Sequence, residues 1–141
     1  MDVRPLIKSL KGKFKATVAE ETGLLAADKQ IVPFKGKLKT YNPKKPNKWG
    51  YKIYVLASAQ GLILYKEFST GQIDPMEGQP DLKASGNIVL PLLQPIPHGQ
   101  WHKPFTDNWF TSPALFTTLH SQHTGCEGMV RANRLLGCAL P

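Results

Sequence analysis

The chain has 141 residues, 41% of them hydrophobic, and three Trp. That is one domain's worth of chain, with apolar content suited to a packed core rather than to disorder. The formal net charge is +8, but residues 1–52 carry 13 basic and 4 acidic side chains, a net +9, whereas residues 53–141 carry 5 and 6. A positive field concentrated in one half points to a polyanionic partner, most simply nucleic acid.

No apolar run approaches the roughly 18 residues of a membrane span, so no membrane partner is expected. Leu6-Ile7 among basic residues is too short for the apolar region of a secretory signal, and Cys126 and Cys138 are accordingly read as free thiols of a reducing compartment.

In chain order, Val3, Leu6, Ile7, Leu10 and Phe14 fall near i, i+3, i+4 and i+7 spacing, which predicts an amphipathic helix over residues 2–16. Glu20 to Gly23 is a loop. Leu24 to Val32 reads as a short apolar strand interrupted by Asp28. A lone carboxylate there must be exposed, paired with a lysine such as Lys29 or Lys35, or waiting for a metal ion.

Pro43 and Pro46 break Tyr41 to Lys48 into a basic loop. Trp49 to Ala57 and Leu62 to Phe68 are rich in aromatic and β-branched residues, and the short Gly61-containing connection makes them an antiparallel hairpin. Trp49 and Tyr51 are expected in the core. Residues 69–80 are loop, and residues 81–93 suit a helix that Gly86 weakens and Pro91 kinks.

Gln100 to Thr106 is then a strand delivering Asp107. Ser112 is a good N-cap and Pro113 suits the first helical position, so a helix runs from Pro113 to about Gln122 with Leu115, Phe116 and Leu119 on one face. A carboxylate at a strand's carboxyl end before a helix is where α/β folds place ligands, although Asp also caps turns. Gly125 to Ala132 reads as a final strand. The order of elements implies an α/β fold with a mixed sheet.

Other constellations are weaker. His120, His123, Cys126 and Cys138 lack an established zinc spacing, and no third group is visible to orient a Cys–His pair. Trp109 and Phe110 could stack on bases but are read as core beneath the helix.

Several blocks together resemble piggyBac-type transposases. Asp28-Lys29-Gln30-Ile31-Val32-Pro33-Phe34-Lys35-Gly36-Lys37 is similar to the block around that family's first catalytic aspartate, and Thr106-Asp107-Asn108-Trp109-Phe110-Thr111-Ser112 to the block around its second. Tyr41 to Lys52 resembles the intervening basic loop and strand, Gly128 to Arg134 the strand and turn beyond, and Val3 to Ile7 the preceding helix.

The resemblance implies a ribonuclease H-like mixed β-sheet flanked by helices, truncated before the final catalytic helix. Residues 1–22 would be an N-terminal helix and linker, and residues 23–141 a partial catalytic domain. Asp28 and Asp107 would be catalytic carboxylates and ligands of Mg²⁺, the partner would be DNA, and the chain would be a nuclear homodimer with no small-molecule substrate. Two Mg²⁺ ions about 3.5–4 Å apart, one at the attacking oxygen and one at the leaving oxygen, are what a carboxylate pair supports. Phosphate contacts are expected from Lys35, Lys37, Lys44, Lys45, Lys48, Arg131 and Arg134.

Two departures matter. Lys29 follows Asp28 where the family usually carries Glu, and beyond Asp107 the one acid, Glu127, does not match the family's third aspartate. The expectation is a fragment of a DNA transposase catalytic domain without activity of its own. The competing reading is a domesticated, non-catalytic module that binds DNA or chromatin through its basic half.

Overall fold

A computed structural model describes residues 4–18, 23–33, 40–41, 43–44, 49–69, 71–135 and 137–138. The amphipathic helix forms as α1, Arg4–Val18. It runs along the strand Ile63–Phe68 (β4 below), where Lys11 Nζ lies 2.9 Å from Glu67 Oε2 and 5.0 Å from the centre of the Tyr65 ring. Ile7, Lys11 and Phe14 are half-buried, whereas Leu6 and Leu10 stay exposed.

The described strands are β1 (Leu24–Pro33), β2 (Thr40–Tyr41), β3 (Trp49–Ser58), β4 (Ile63–Phe68), β5 (Lys103–Thr106) and β6 (Glu127–Gly128). They form one mixed sheet. β1 lies between β3, which runs antiparallel to it, and β5, which runs parallel. β4 pairs antiparallel with β3, β6 pairs parallel with β5, and two-residue β2 pairs with the start of β3. The order β4-β3-β1-β5-β6, with three antiparallel strands followed by two parallel ones, is a ribonuclease H-like arrangement.

Strand alternation divides the sheet into two unlike faces. On the inner face lie Leu25 and Ala27 of β1 and Tyr54 and Leu56 of β3, all buried. An irregularity in the β3–β4 register lets both Leu64 and Tyr65 pack there. This face is closed by α2 (Lys83–Asn87), α3 (Val89–Leu93) and α4 (Pro113–Ser121), which contribute Val89, Leu92, Leu115 and Leu119 to the core. Each such side chain stabilises the fold by about 1.5–3 kcal/mol on burial. The outer face leaves Leu24, Val32, Phe68 and Phe105 exposed.

Several elements depart from expectation. The single helix over residues 81–93 is instead α2 and α3, meeting at Ile88. The Asn87 amide folds back across α2, accepting from the Leu82 N–H at 2.8 Å and donating to Asp81 Oδ1 at 2.9 Å. Pro91 also has no N–H with which to continue a helical ladder. β5 starts at Lys103 rather than Gln100 because Trp101 is in the left-handed region, with φ 54.

The final strand is two residues rather than eight. A Cβ at Gly128 would sit 2.5 Å from the Thr106 carbonyl oxygen. Beyond it the chain leaves the sheet for a 3-10 turn, Ala132–Arg134, which Arg134 anchors to the loop after β5. Trp49, at the start of β3 on the outer face, is 47% exposed rather than in the core, while Tyr51 is half-buried.

Candidate active site

The last paired positions of β1 and β5 are Ala27 and Thr106. The residue after each is an aspartate: Asp28, midway along β1, neighbours Asp107, the first residue beyond the end of β5. Sequence reasoning identified both, and the sheet brings them side by side.

Their surroundings differ. Asp28 is exposed on the outer face and accepts the Lys29 backbone N–H at 2.7 Å. Asp107 opens a tight turn. Its Oδ1 accepts from the N–H groups of Trp109 (2.8 Å) and Phe110 (3.3 Å), and its carbonyl accepts from the Thr111 N–H (3.1 Å) and hydroxyl (2.8 Å). Thr111 and Thr106 share a hydroxyl–hydroxyl hydrogen bond of 2.8 Å that closes the turn onto β5. Asp107 therefore caps its own turn as well as ending the strand. It also lines a cleft of about 390 Å³ with Phe105, Glu127 and Met129.

The turn projects Phe110 into the core, fully buried, and leaves Trp109 half-buried above it. Trp109 stacks on Tyr54 with centroids 5.7 Å apart and planes 17° apart, and meets Phe110 edge-on at 4.9 Å. Both aromatics pack as core, as their apolar context predicts.

Alternation puts Lys29 on the inner face, opposite to Asp28. Its ammonium reaches Asp107 Oδ2 at 3.5 Å and lies 5.2 Å from the centre of the Trp109 ring. Lys52, its neighbour on β3, stands 5.9 Å from the same ring. Burial, together with the charge of Lys29, holds the Lys52 ammonium below its ordinary pKa. Lys29 stands out in the sequence as a possible partner of Asp28 and as a departure from the family's Glu, but its contact with Asp107 was not expected, and Lys52 was not singled out. The legible signal is positional: Lys29 continues the inward series Leu25, Ala27, and Lys52 continues Leu56, Tyr54.

Of the expected phosphate contacts, Lys35, Lys37, Lys45 and Lys48 lie outside the described residues, and Lys44 is exposed in a turn. Arg131 donates to Asn108 Oδ1 at 3.4 Å, and Arg134 Nη1 donates to the carbonyls of Trp109 (2.8 Å) and Thr111 (2.6 Å). Both arginines thus attach to the Asp107 turn, and Arg134 has a structural task there beside any contact with phosphate.

At the other end of the sheet, Trp101 lies 5.5 Å from the rings of His120 and His123. His102 is buried, and neither ring nitrogen has a hydrogen-bond partner among the described residues. Cys126 is half-buried, and burial pushes its thiol up to about 11, while Cys138 is exposed. Among the described residues no three His, Cys, Asp or Glu side chains come together to hold a metal ion.

A family profile described as Transposase IS4 matches residues 1–140. The fold is similar, with TM-score 0.74 and 25% sequence identity, to a cryo-EM structure of a piggyBac transposase synaptic complex with hairpin DNA. The chain belongs to the piggyBac-type transposase family. The match covers 95% of this chain and 29% of that one, so the chain spans less than a third of that transposase's length.

Transposases of the DDE type generally use a divalent metal ion. In this chain Asp28 of β1 and Asp107, just beyond β5, are backbone neighbours. The side chains do not fit one at Asp107: the Lys29 ammonium already sits at its Oδ2, and its Oδ1 is taken by two backbone N–H groups.

Proposed function

We propose that this chain is a segment of a piggyBac-type transposase catalytic domain that binds DNA through the basic surface around the Asp107 turn, and that by itself it neither cuts nor joins DNA. The observation that carries this reading is the set of cations gathered at the Asp107 turn: Lys29 at Asp107, Lys52 beside the Trp109 ring, Arg131 at Asn108 and Arg134 at the Trp109 and Thr111 carbonyls. Four cations against three nearby carboxylates, Asp28, Asp107 and Glu127, leave a net positive surface suited to phosphates. The net +9 of residues 1–52 adds to the same field.

The relative in the synaptic complex is bound to hairpin DNA, which supports DNA as the partner class here. A nucleus is the compartment this reading requires in a eukaryotic cell, and a homodimer is its expected assembly. The inactive part of this reading is supported by the cation already seated at Asp107 and by the sequence, in which Glu127, the one acid beyond Asp107, does not match the family's third aspartate. Losing one member of a catalytic set can lower a rate by several orders of magnitude.

The test is duplex-DNA binding by fluorescence anisotropy across a salt series, with a nuclease assay in Mg²⁺ or Mn²⁺ alongside. If about six phosphates are engaged, the log–log salt slope is roughly −5. Absence of binding at ~50 mM salt would refute the DNA-binding reading. Metal-dependent cleavage that disappears in Asp107→Asn would show that the isolated chain is an enzyme after all. A domesticated DNA- or chromatin-binding module shares the first result and is favoured if residues 1–52 alone account for the slope.

A further inference from the structure

We propose that Lys29 is the resident cation at Asp107 and that it keeps divalent metal ions off that carboxylate. Lys29 donates its uncharged backbone N–H to Asp28 Oδ1 at 2.7 Å and holds its ammonium 3.5 Å from Asp107 Oδ2. At that distance the second contact is a Coulombic pair rather than a short charge-assisted hydrogen bond, which would be about 2.8 Å.

Packing keeps the ammonium in place. The Lys29 side chain is only 19% exposed, and its Nζ lies 5.2 Å from the centre of the Trp109 ring and 5.9 Å from that of Phe110. Those aromatic faces attract a cation and shorten the list of rotamers open to the chain. Trp109 is itself fixed, by its stack on Tyr54 and by the N–H bond to Asp107.

The charge balance points the same way. The acids near the turn are Asp28, Asp107 and Glu127, and the cations attached to it are Lys29, Lys52, Arg131 and Arg134. A divalent ion approaching Asp107 meets the Lys29 ammonium directly and Lys52 behind it. It also finds Oδ1 of Asp107 already accepting two backbone N–H groups. Mg²⁺ and Mn²⁺ need hard oxygen donors free to complete an octahedron. To bind, either ion would have to displace Lys29 from its aromatic seat.

The proposal concerns protein and metal alone, so it stands or falls independently of whether the chain binds DNA. Its test is a Mn²⁺ titration of the 141-residue chain, read by the electron paramagnetic resonance signal of free aqueous Mn²⁺. Removing one neighbouring ammonium raises affinity at a partly screened site by about tenfold. Lys29→Gln is expected to bind one Mn²⁺ that much more tightly than wild type, and the gain is expected to vanish in Lys29→Gln/Asp107→Asn. A wild-type chain that binds Mn²⁺ and loses it in Asp107→Asn overturns the proposal, as does Lys29→Gln with no gain.

Lys29→Met removes the charge while keeping the contact with Trp109, and serves if the Gln variant fails to fold. A measurement on the wild-type chain needs no variant. The amides of Trp109 and Phe110 are expected to keep their NMR line widths in Mn²⁺, and selective broadening there would sink the idea.

Discussion

Lys29 holds its ammonium 3.5 Å from Asp107 Oδ2 across the gap between two parallel strands, from the opposite face of β1 to Asp28. Asp107 keeps 42% of its side chain exposed, so solvent screens the pair. A double-mutant cycle of Lys29→Gln and Asp107→Asn, read by urea unfolding, is expected to give a coupling of about 0.5–1 kcal/mol. The coupling should shrink toward zero near 1 M salt, where the Debye length is about 3 Å.

Gly128 fills a place that no side chain can share. A Cβ there would lie 2.5 Å from the Thr106 carbonyl oxygen and 2.6 Å from Thr111 Oγ1, and the carbonyl cannot move without breaking the β5–β6 pairing. Gly128→Ala is expected to cost about 1–3 kcal/mol in urea unfolding. The amides of the Asp107 turn should also lose hydrogen-exchange protection.

His102 behaves in the opposite sense. Its ring is buried and neither nitrogen has a hydrogen-bond partner among the described residues, a desolvation penalty with no compensating bond among them. His102→Leu is expected to raise stability by about 1 kcal/mol, measured as a shift in the urea midpoint at constant slope. A loss of similar size would mean that the imidazole has a partner in solution.

The two thiols should separate in labelling. Cys138 is exposed and Cys126 is not, and burial raises the Cys126 pKa to about 11. At pH 8 a maleimide is expected to modify Cys138 quickly and Cys126 only on unfolding. The folded state holds the Cys126 proton more tightly than the unfolded chain does. This contribution to stability is therefore complete below the ordinary thiol pKa of 9.0 and declines as pH rises from there through about 11.

Much of this architecture is legible in local chemistry. The Ser112-Pro113 start of α4 is a cap whose hydroxyl accepts the Leu115 N–H at 3.2 Å; Ser112→Ala is expected to cost about 1 kcal/mol. The β3–β4 hairpin and the strand carrying Asp28 follow from alternation and turn residues. What escapes local reading depends on contacts between distant segments. The two-residue length of β6 is decided by Gly128 against Thr106 and by the hold of Arg134 on the Trp109 and Thr111 carbonyls. The break at Ile88 depends on Asn87 reaching back to Leu82. The seat of Lys29 requires Trp109, 80 positions away in the chain, to be known as its floor.

The exposed outer face of the sheet has a practical consequence for handling the protein. Leu24, Val32, Phe68 and Phe105 are each more than a third exposed on it, and in dilute buffer the net charge of +8 keeps two such faces from meeting. Added salt screens that repulsion and strengthens apolar association at once. The same ionic strength that would strip the chain from a polyanion should therefore drive it toward its own kind. Purification is best attempted in a narrow band of conductivity, bounded below by carried-over nucleic acid and above by turbidity.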